Sequence, residues 1–352
     1  MITVDGIIFS LQEHGGISIY FFELLKRGIR DSIDMAVLLF DEEAMHRAGE
    51  PPKVIKQNRR FLERYRSCLV PPNTQLFHSS YYRLPKSKGI PTITTVHDFT
   101  YERFISGVKR WVHSSQKFKA IRDASAVICV SENTRKDLFE FLPNVREDKV
   151  YIVPNGVGDA FFPLDSSSYL SSHRPYVLFV GSRAGYKNFN VAIEALGLLQ
   201  DIELVCVGGG AFSKFECLQL EKNLTGRYSH KGAASDNHLN ILYNNALCLL
   251  YPSSYEGFGI PILEAMRAGC PVVAVETSSI PEVAGDAALL LKAAEPALLA
   301  NAIERVADND IRQQLRQKGL RRSQAYSWDR TYFETVEVYK AVLGHALPRT
   351  SS

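Results

Sequence analysis

Short apolar runs recur along the chain, each followed by a longer stretch with helical spacing. In the first half the runs read as strands at Ile2–Phe9, Met35–Phe40, Leu76–His78, Thr92–Val96, Ala126–Val130 and Val150–Ile152, with helices such as Ile17–Arg30 and Trp111–Ala120 between them. A second series follows the polar stretch Asp165–His173, at Tyr176–Val180, Ile202–Val207, Arg227–His230, Ala246–Tyr251, Pro271–Ala274 and Ala288–Leu291. Strands that alternate with helices predict open parallel sheets, and the serine-rich stretch reads as a linker by composition. The pattern predicts an α/β protein of two doubly wound, Rossmann-like domains facing a cleft, with ligands at the carboxyl ends of the strands. Residues 1–165 form the first domain and 174–327 the second. A final helix from Trp328 to about Leu343 carries Tyr332, Phe333, Val336, Val338, Tyr339 and Val342, a face able to pack back on the first domain.

A length of 352 residues suits two ordinary domains, and 45% apolar with 22% charged residues suits a soluble globular chain. No apolar run is long enough for a membrane-spanning helix, and Met1–Phe9 reads as a strand rather than a signal peptide. None of the six cysteines forms a Cys-x-x-Cys pair. Cys129, Cys206 and Cys248 fall in predicted strands, so they read as reduced structural thiols of a cytoplasmic protein. Charge changes the picture more. Residues 51–122 hold fifteen Lys and Arg against three Asp and Glu, a local +12 that leaves −9 for the rest of a chain of net charge +3. Such an excess reads as a solvated surface, or as a face for anionic lipid or a diphosphate-bearing acceptor. Without a nucleic-acid-binding motif it does not point to nucleic acid.

The densest chemistry lies in Tyr251–Glu264, where Glu256 and Glu264 stand eight positions apart around Gly257 and Gly259. A strand leads into the turn, and a helix leaves it with Pro261 at its start, a favoured first-turn position. Free amides at a helix mouth attract phosphate, with Gly257, Phe258, Gly259 and Ile260 as their natural source. Glu264, one turn inside, is placed to accept from a ligand diol. That combination suits a nucleoside diphosphate. Two other readings remain open: Glu264 capping the turn, and Glu256 pairing with a nearby cation. In Val180–Asn188, Arg183 and Lys187 follow a strand with no predicted acidic partner. Two such cations suit a leaving diphosphate, on which charge grows in the transition state.

The run from Ser253 to Ala274, S-S-Y-E-G-F-G-I-P-I-L-E-A-M-R-A-G-C-P-V-V-A, resembles the retaining, nucleotide-sugar-dependent glycosyltransferases of the GT-B fold in family 4 (glycosyl transferases group 1). The G-x-R-x3-K-N pattern of Gly181–Asn188 resembles the same family. The resemblance covers most of residues 1–343 and is strongest from 176 to 290. It implies that Arg183, Lys187 and the Gly15–Gly16 loop hold the donor diphosphate, Glu264 the ribose, and Glu256 and His97 the sugar. It implies base contacts, mostly by backbone, in His230–Lys231–Gly232. Asp98, beside His97, is a weaker candidate. Ser131–Thr134 resembles a family turn and reads as a helix cap, while Pro154–Val157 resembles an exit near the hinge, with Asn155–Gly156 suited to positive φ.

The resemblance further implies a metal-independent, retaining hexosyltransferase without a cofactor, the nucleotide-sugar being a co-substrate. Close relatives in overall pattern are often bacterial mannosyl- or rhamnosyltransferases of surface-polysaccharide assembly, which use GDP-linked sugars. A UDP-sugar is the alternative donor. The acceptor expected is a saccharide, lipid-diphosphate-linked (undecaprenyl diphosphate), at the inner membrane face, which residues 51–122 would contact peripherally. Rival readings are a GT-B epimerase or phosphorylase, a Rossmann oxidoreductase and a non-catalytic sugar-nucleotide binder. Val207–Gly210 lacks the dinucleotide fingerprint, Asp308–Asp310 reads as a helix cap rather than a metal motif, and HExxH, P-loop and nucleophile-elbow motifs are absent.

Overall fold

The computed structural model describes residues 1–12, 15–40, 53–165, 174–344 and 347–348. The chain divides into two compact units, Met1–Gly156 with Trp328–Ser352, and Val157–Ser327. The division at Gly156 comes before the serine-rich stretch, of which 166–173 lie outside the described residues.

The strands of the first unit are β1 (Ile2–Asp5), β2 (Met35–Leu39), β3 (Val54–Lys56), β4 (Leu76–Ser79), β5 (Thr92–Val96), β6 (Ala126–Cys129) and β7 (Val150–Ile152), all parallel, in the order β3-β2-β1-β4-β5-β6-β7. Its helices are α1 (Ile7–Leu11), α2 (Gly16–Arg30), α3 (Thr100–Phe104), α4 (Gly107–Asp123) and α5 (Glu132–Phe141). Residues of β1, β2, β4, β5 and β6 are buried on both faces, and β2 and β6 accordingly read as continuous apolar runs rather than alternating ones.

Two expectations are corrected here. The first strand stops at Asp5, because the chain turns at Gly6 into α1. Gly6 N–H donates to Leu38 O, and a Cβ on Gly6 would lie 2.2 Å from that oxygen. A short apolar run does not itself distinguish strand from helix. Consequently Gly15–Gly16 follows α1 rather than the first strand. The edge strand β3, only three residues and half-buried, was hidden in the basic stretch.

The second unit holds β8 (Tyr176–Val180), β9 (Glu203–Val207), β10 (Tyr228–His230), β11 (Cys248–Tyr251), β12 (Val272–Val275) and β13 (Leu289–Leu291), all parallel, in the order β10-β9-β8-β11-β12-β13. Helices α6 (Phe189–Gly197), α7 (Lys214–Leu224), α8 (Asp236–Asn245), α9 (Ile260–Ala268), α10 (Ile280–Ala284), α11 (Pro296–Ala307) and α12 (Asn309–Ser323) cover them. Its core joins Val177, Phe179, Ile193, Leu204, Leu250 and Ile303. The strand order reverses between β8 and β11, so the loops leaving these two strands flank the topological switch point.

The last helix, α13 (Trp328–Leu343), belongs to the first unit. Its buried Tyr339 hydroxyl bonds His78 Nδ1 at 2.6 Å, Thr335 lies 3.5 Å from the Tyr20 hydroxyl, and Asp329 pairs with Arg27 and Arg30. Phe333, grouped by sequence with the packing face, is exposed. Ser131 accepts from Thr134 N–H at the start of α5, and Asp308 caps α12. Neither Asn155 nor Gly156 adopts a positive φ. The segment is held instead by Thr331 Oγ1, which donates to Pro154 O at 2.8 Å. Cys68, Cys129, Cys206, Cys248 and Cys270 are free and buried, and Cys217 is free and exposed.

Candidate active site

In the second unit the loops after β8 and β11 are stitched together. Asn188, with φ +53, sends its amide to Pro252 O at 2.8 Å and to Ser254 Oγ at 2.7 Å, while Ser254 N–H donates to Tyr186 O. The stitching brings Lys187 Nζ onto Glu256 Oε1 as an ion pair, both side chains mostly buried. Of the alternatives for Glu256, a cation partner is therefore present. Lys187 also lies over the Tyr251 ring at 5.4 Å. Burial, reinforced by the adjacent Glu256 carboxylate, holds the Tyr251 phenol well above its usual range.

The Glu256–Gly259 turn is propped from beneath by the loop after β12. Ser278 Oγ accepts from Glu256 N–H at 2.8 Å, and Ser279 Oγ donates to Glu256 O and Phe258 O, each at 2.9 Å. These serines were missed by sequence reasoning; a short Thr-Ser-Ser loop after a strand gives no signal of its target. Gly259, at φ +110, starts α9, which has no side-chain cap and carries Pro in its first turn. A side chain at Gly259 would be strained. Pro261 has no N–H and Ile262 N–H donates to Gly259 O at 3.0 Å, so the mouth's partial positive charge, with the Ile260 end of the helix, is what it offers an anion. The Phe258 ring packs edge-on to Tyr326, so this residue offers its backbone to a ligand. Ile260 opens the helix beside it.

Glu264 sits one turn inside α9, nine-tenths buried, and accepts from the Tyr243 hydroxyl at 3.0 Å. It does not cap the turn. Burial raises its carboxyl to about 7, opposed by the Tyr243 bond. A buried carboxylate with a phenol for a neighbour remains suited to accept from a diol, at the cost of holding charge away from water.

The expectation that Arg183 has no acidic partner is corrected. Arg183 pairs with Glu216 at 2.8 Å, and donates to Gly208 O, Gly210 O and Ala211 O at 3.1, 2.8 and 2.9 Å. Its guanidinium fastens the glycine turn after β9 to α7, where Glu216 also completes a capping box with Ser213. Lys187 has an acidic partner too, in Glu256. The distance along the chain between these pairs concealed them. His230 Nε2 and Gly232 meet the same turn, at Gly208 O and Gly208 N, while Lys231 N–H donates to Cys206 O and its side chain is exposed.

In the first unit His97 follows β5, buried edge-on to Tyr20 of α2 at 5.2 Å between ring centres. Its Nε2 is buried and has no hydrogen-bond partner among the described residues. Burial pushes the imidazole down to about 4, Asp98 opposing and Lys117 reinforcing, so the ring is neutral near pH 7. The following loop is held by fully buried Lys117, which donates to Asp98 O at 2.5 Å and Glu102 Oε2 at 2.9 Å. Through Tyr20, His97 packs against the helix that Gly15 caps and Gly16 opens, again without a side-chain cap. His14 of that loop lies outside the described residues.

Two parallel-sheet α/β units, the second bearing a Lys–Glu pair and a buried carboxylate beside the start of α9, have the GT-B fold of solved glycosyltransferase structures. Residues 14–161 match the family described as Glycosyltransferase Family 4, and residues 164–322 match Glycosyl transferases group 1. The chain belongs to this family of glycosyltransferases.

Among its relatives, the O-antigen chain mannosyltransferase B of Escherichia coli is 27% identical over 75% of this chain and 74% of its own length. Alpha-maltose-1-phosphate synthase of Mycolicibacterium smegmatis is 28% identical over 72% and 74%. The crystal structure of Anabaena HepE in complex with UDP and glucose superposes with a TM-score of 0.77 at 17% identity, covering 97% of this chain and 99% of that one. Among the described residues, no helix is long and apolar enough to cross a membrane.

Proposed function

We propose that the protein is a retaining, metal-independent hexosyltransferase that moves mannose or rhamnose from a GDP-sugar to a saccharide acceptor in surface-polysaccharide assembly. The observation that carries this reading is the grouping of Lys187, Glu256, the open α9 mouth and Glu264 at the switch point of the second unit. The mannosyltransferase relative supports the choice of sugar.

In this reading the α9 amides and Lys187 take the diphosphate, whose charge rises as the glycosidic bond breaks. Glu264 accepts the ribose hydroxyls. Glu256, held by Lys187 and the two serines, faces the sugar, and neutral His97 uses its unpartnered nitrogen toward a sugar hydroxyl. The acceptor hydroxyl attacks the anomeric carbon from the leaving-group face, and the departing diphosphate oxygen takes its proton. Arg183 acts by shaping the turn that borders the base. The acceptor is a lipid-diphosphate-linked saccharide, and the enzyme meets the membrane through its first unit.

Proton NMR of the product formed from GDP-α-mannose and a short mannoside acceptor, with a chelator present, tests the reading. An α-linked product supports it. A β-linked product refutes retention, a strict metal requirement refutes metal independence, and turnover only of a UDP-sugar moves the donor to the alternative base. Nucleotide binding without transfer to any acceptor would favour a non-catalytic binder.

A further inference from the structure

Five of the fifteen cations of residues 51–122 are paired with carboxylates of the first unit. Arg83, with no exposed surface, lies between Asp5 and Glu63, and Arg60 also pairs with Glu63. Lys117 pairs with Glu102, Arg103 with Asp137 and Glu140, and Lys119 with Asp123. Charge count alone therefore overstates the attractive surface.

Two stretches are different, because exposed cations alternate there with exposed large apolar side chains. Every residue from 103 to 111, at the α3–α4 junction, is exposed, including Val108 at 76% and Trp111 at 71%, flanking Lys109 and Arg110. No acidic residue occurs between Glu102 and Asp123. In the second stretch, Phe61 is 80% exposed, with Leu62 and Tyr65 beside it and Arg59 and Arg66 exposed around them. Leu62 has φ +55, a conformation that costs a branched side chain free energy.

The next residue shows how that conformation is maintained. Glu63 is buried and bound by Arg60 and Arg83, rooting the loop in the end of the sheet while its neighbours point outward. The two stretches adjoin: Gln116 of α4 donates to Arg64 O at 2.8 Å, and Arg64 donates to Tyr81, whose ring it covers. Arg110, Trp111, Ser114 and Phe118 also line a hollow of about 380 Å³.

We propose that these two stretches form one docking surface for an anionic lipid bilayer. Phe61, Leu62, Val108 and Trp111 enter the boundary between headgroups and acyl chains, and Arg59, Arg66, Lys109 and Arg110 meet the lipid phosphates. The inference rests on the membrane contact read above and narrows it to these side chains. Apolar groups interleaved with cations match an interface that is apolar below and anionic above. A second copy of the chain matches poorly, since a two-fold contact would set these like charges against one another.

The full-length protein supplies its own probe, for Trp328, the other tryptophan, is buried. With vesicles of phosphatidylglycerol and phosphatidylethanolamine, Trp111 emission should shift to the blue and be quenched by acyl-brominated lipid. Phosphatidylcholine vesicles should bind weakly, and added salt should release the protein. Phe61→Ser with Val108→Asp, or Lys109→Glu with Arg110→Glu, should lower partitioning at least about tenfold while transfer to a short soluble acceptor is unchanged. Wild type that binds no anionic vesicle would overturn the membrane reading as a whole. Vesicle binding that both variants retain would overturn this surface alone. Loss of transfer to the soluble acceptor, or of a self-association seen in wild type, would reassign the patch to acceptor binding or to a second copy.

Discussion

Glu264 makes a stability prediction as well as a binding one. Burial raises its carboxyl from the usual 4.5 to about 7, so the folded state binds this proton more tightly than the unfolded chain does. The associated stability is fully present below about 4.5 and is lost as the pH climbs through about 7. At about 1.4 kcal/mol per tenfold difference in proton affinity, the charged carboxylate costs roughly 3 kcal/mol above pH 7. Glu264→Gln keeps the shape and removes the titration. Urea unfolding of the nucleotide-free protein should show the two forms nearly equal at about pH 4.5, with the variant gaining up to roughly 3 kcal/mol by about pH 8. The same variant should bind a nucleoside diphosphate more weakly, since an amide does not accept a diol as a carboxylate does. A stability difference that is constant with pH, or a variant less stable at pH 8, would refute the argument that the protein maintains a destabilised carboxylate for its ligand.

Three further outcomes follow from the geometry. Lys117→Met leaves Glu102 buried without its cation, which should cost about 3–5 kcal/mol in urea unfolding; an unchanged midpoint would mean the pair is not buried in solution. His97 should titrate near 4 by NMR of its ring protons and stay neutral from about pH 6 to 8. A midpoint near 6.5 would contradict its burial. Arg183→Ala removes the cation from Glu216 and the guanidinium donor from Gly210 O and Ala211 O, so thermal unfolding should show a loss of about 2 kcal/mol or more; a fall in nucleotide affinity at unchanged stability would instead return Arg183 to the diphosphate.

The α/β alternation was legible because parallel strands covered on both faces tend to be continuous apolar runs, as at Met35–Leu39 and Val272–Val275. The last helix was legible from its spacing, over Trp328–Leu343. What failed was local or long-range. Ile7–Leu11 is too short for its period to separate helix from strand, and Val54–Lys56 is too short and half-exposed to stand out from its basic neighbours. Within the candidate site, the residue types around Glu256 and Glu264 were readable because glycines and a proline mark the turn. Their partners were not. Tyr243 reaches Glu264 from 21 residues away, and Glu216 reaches Arg183 from 33. Such pairings depend on which strands become neighbours, and net charge, likewise, does not reveal that Arg83 and Lys117 are consumed inside the fold.

The central claim is that the second unit holds a nucleoside diphosphate through the α9 mouth and Glu264. The most direct test is calorimetric titration of the purified protein with GDP, UDP, ADP and dTDP in the presence of a chelator, repeated on Glu264→Ala. The account predicts that GDP binds preferentially and that the variant weakens it by at least about tenfold, or 1.4 kcal/mol. No binding of any of the four at millimolar concentration, or binding unaffected by the substitution, would contradict it.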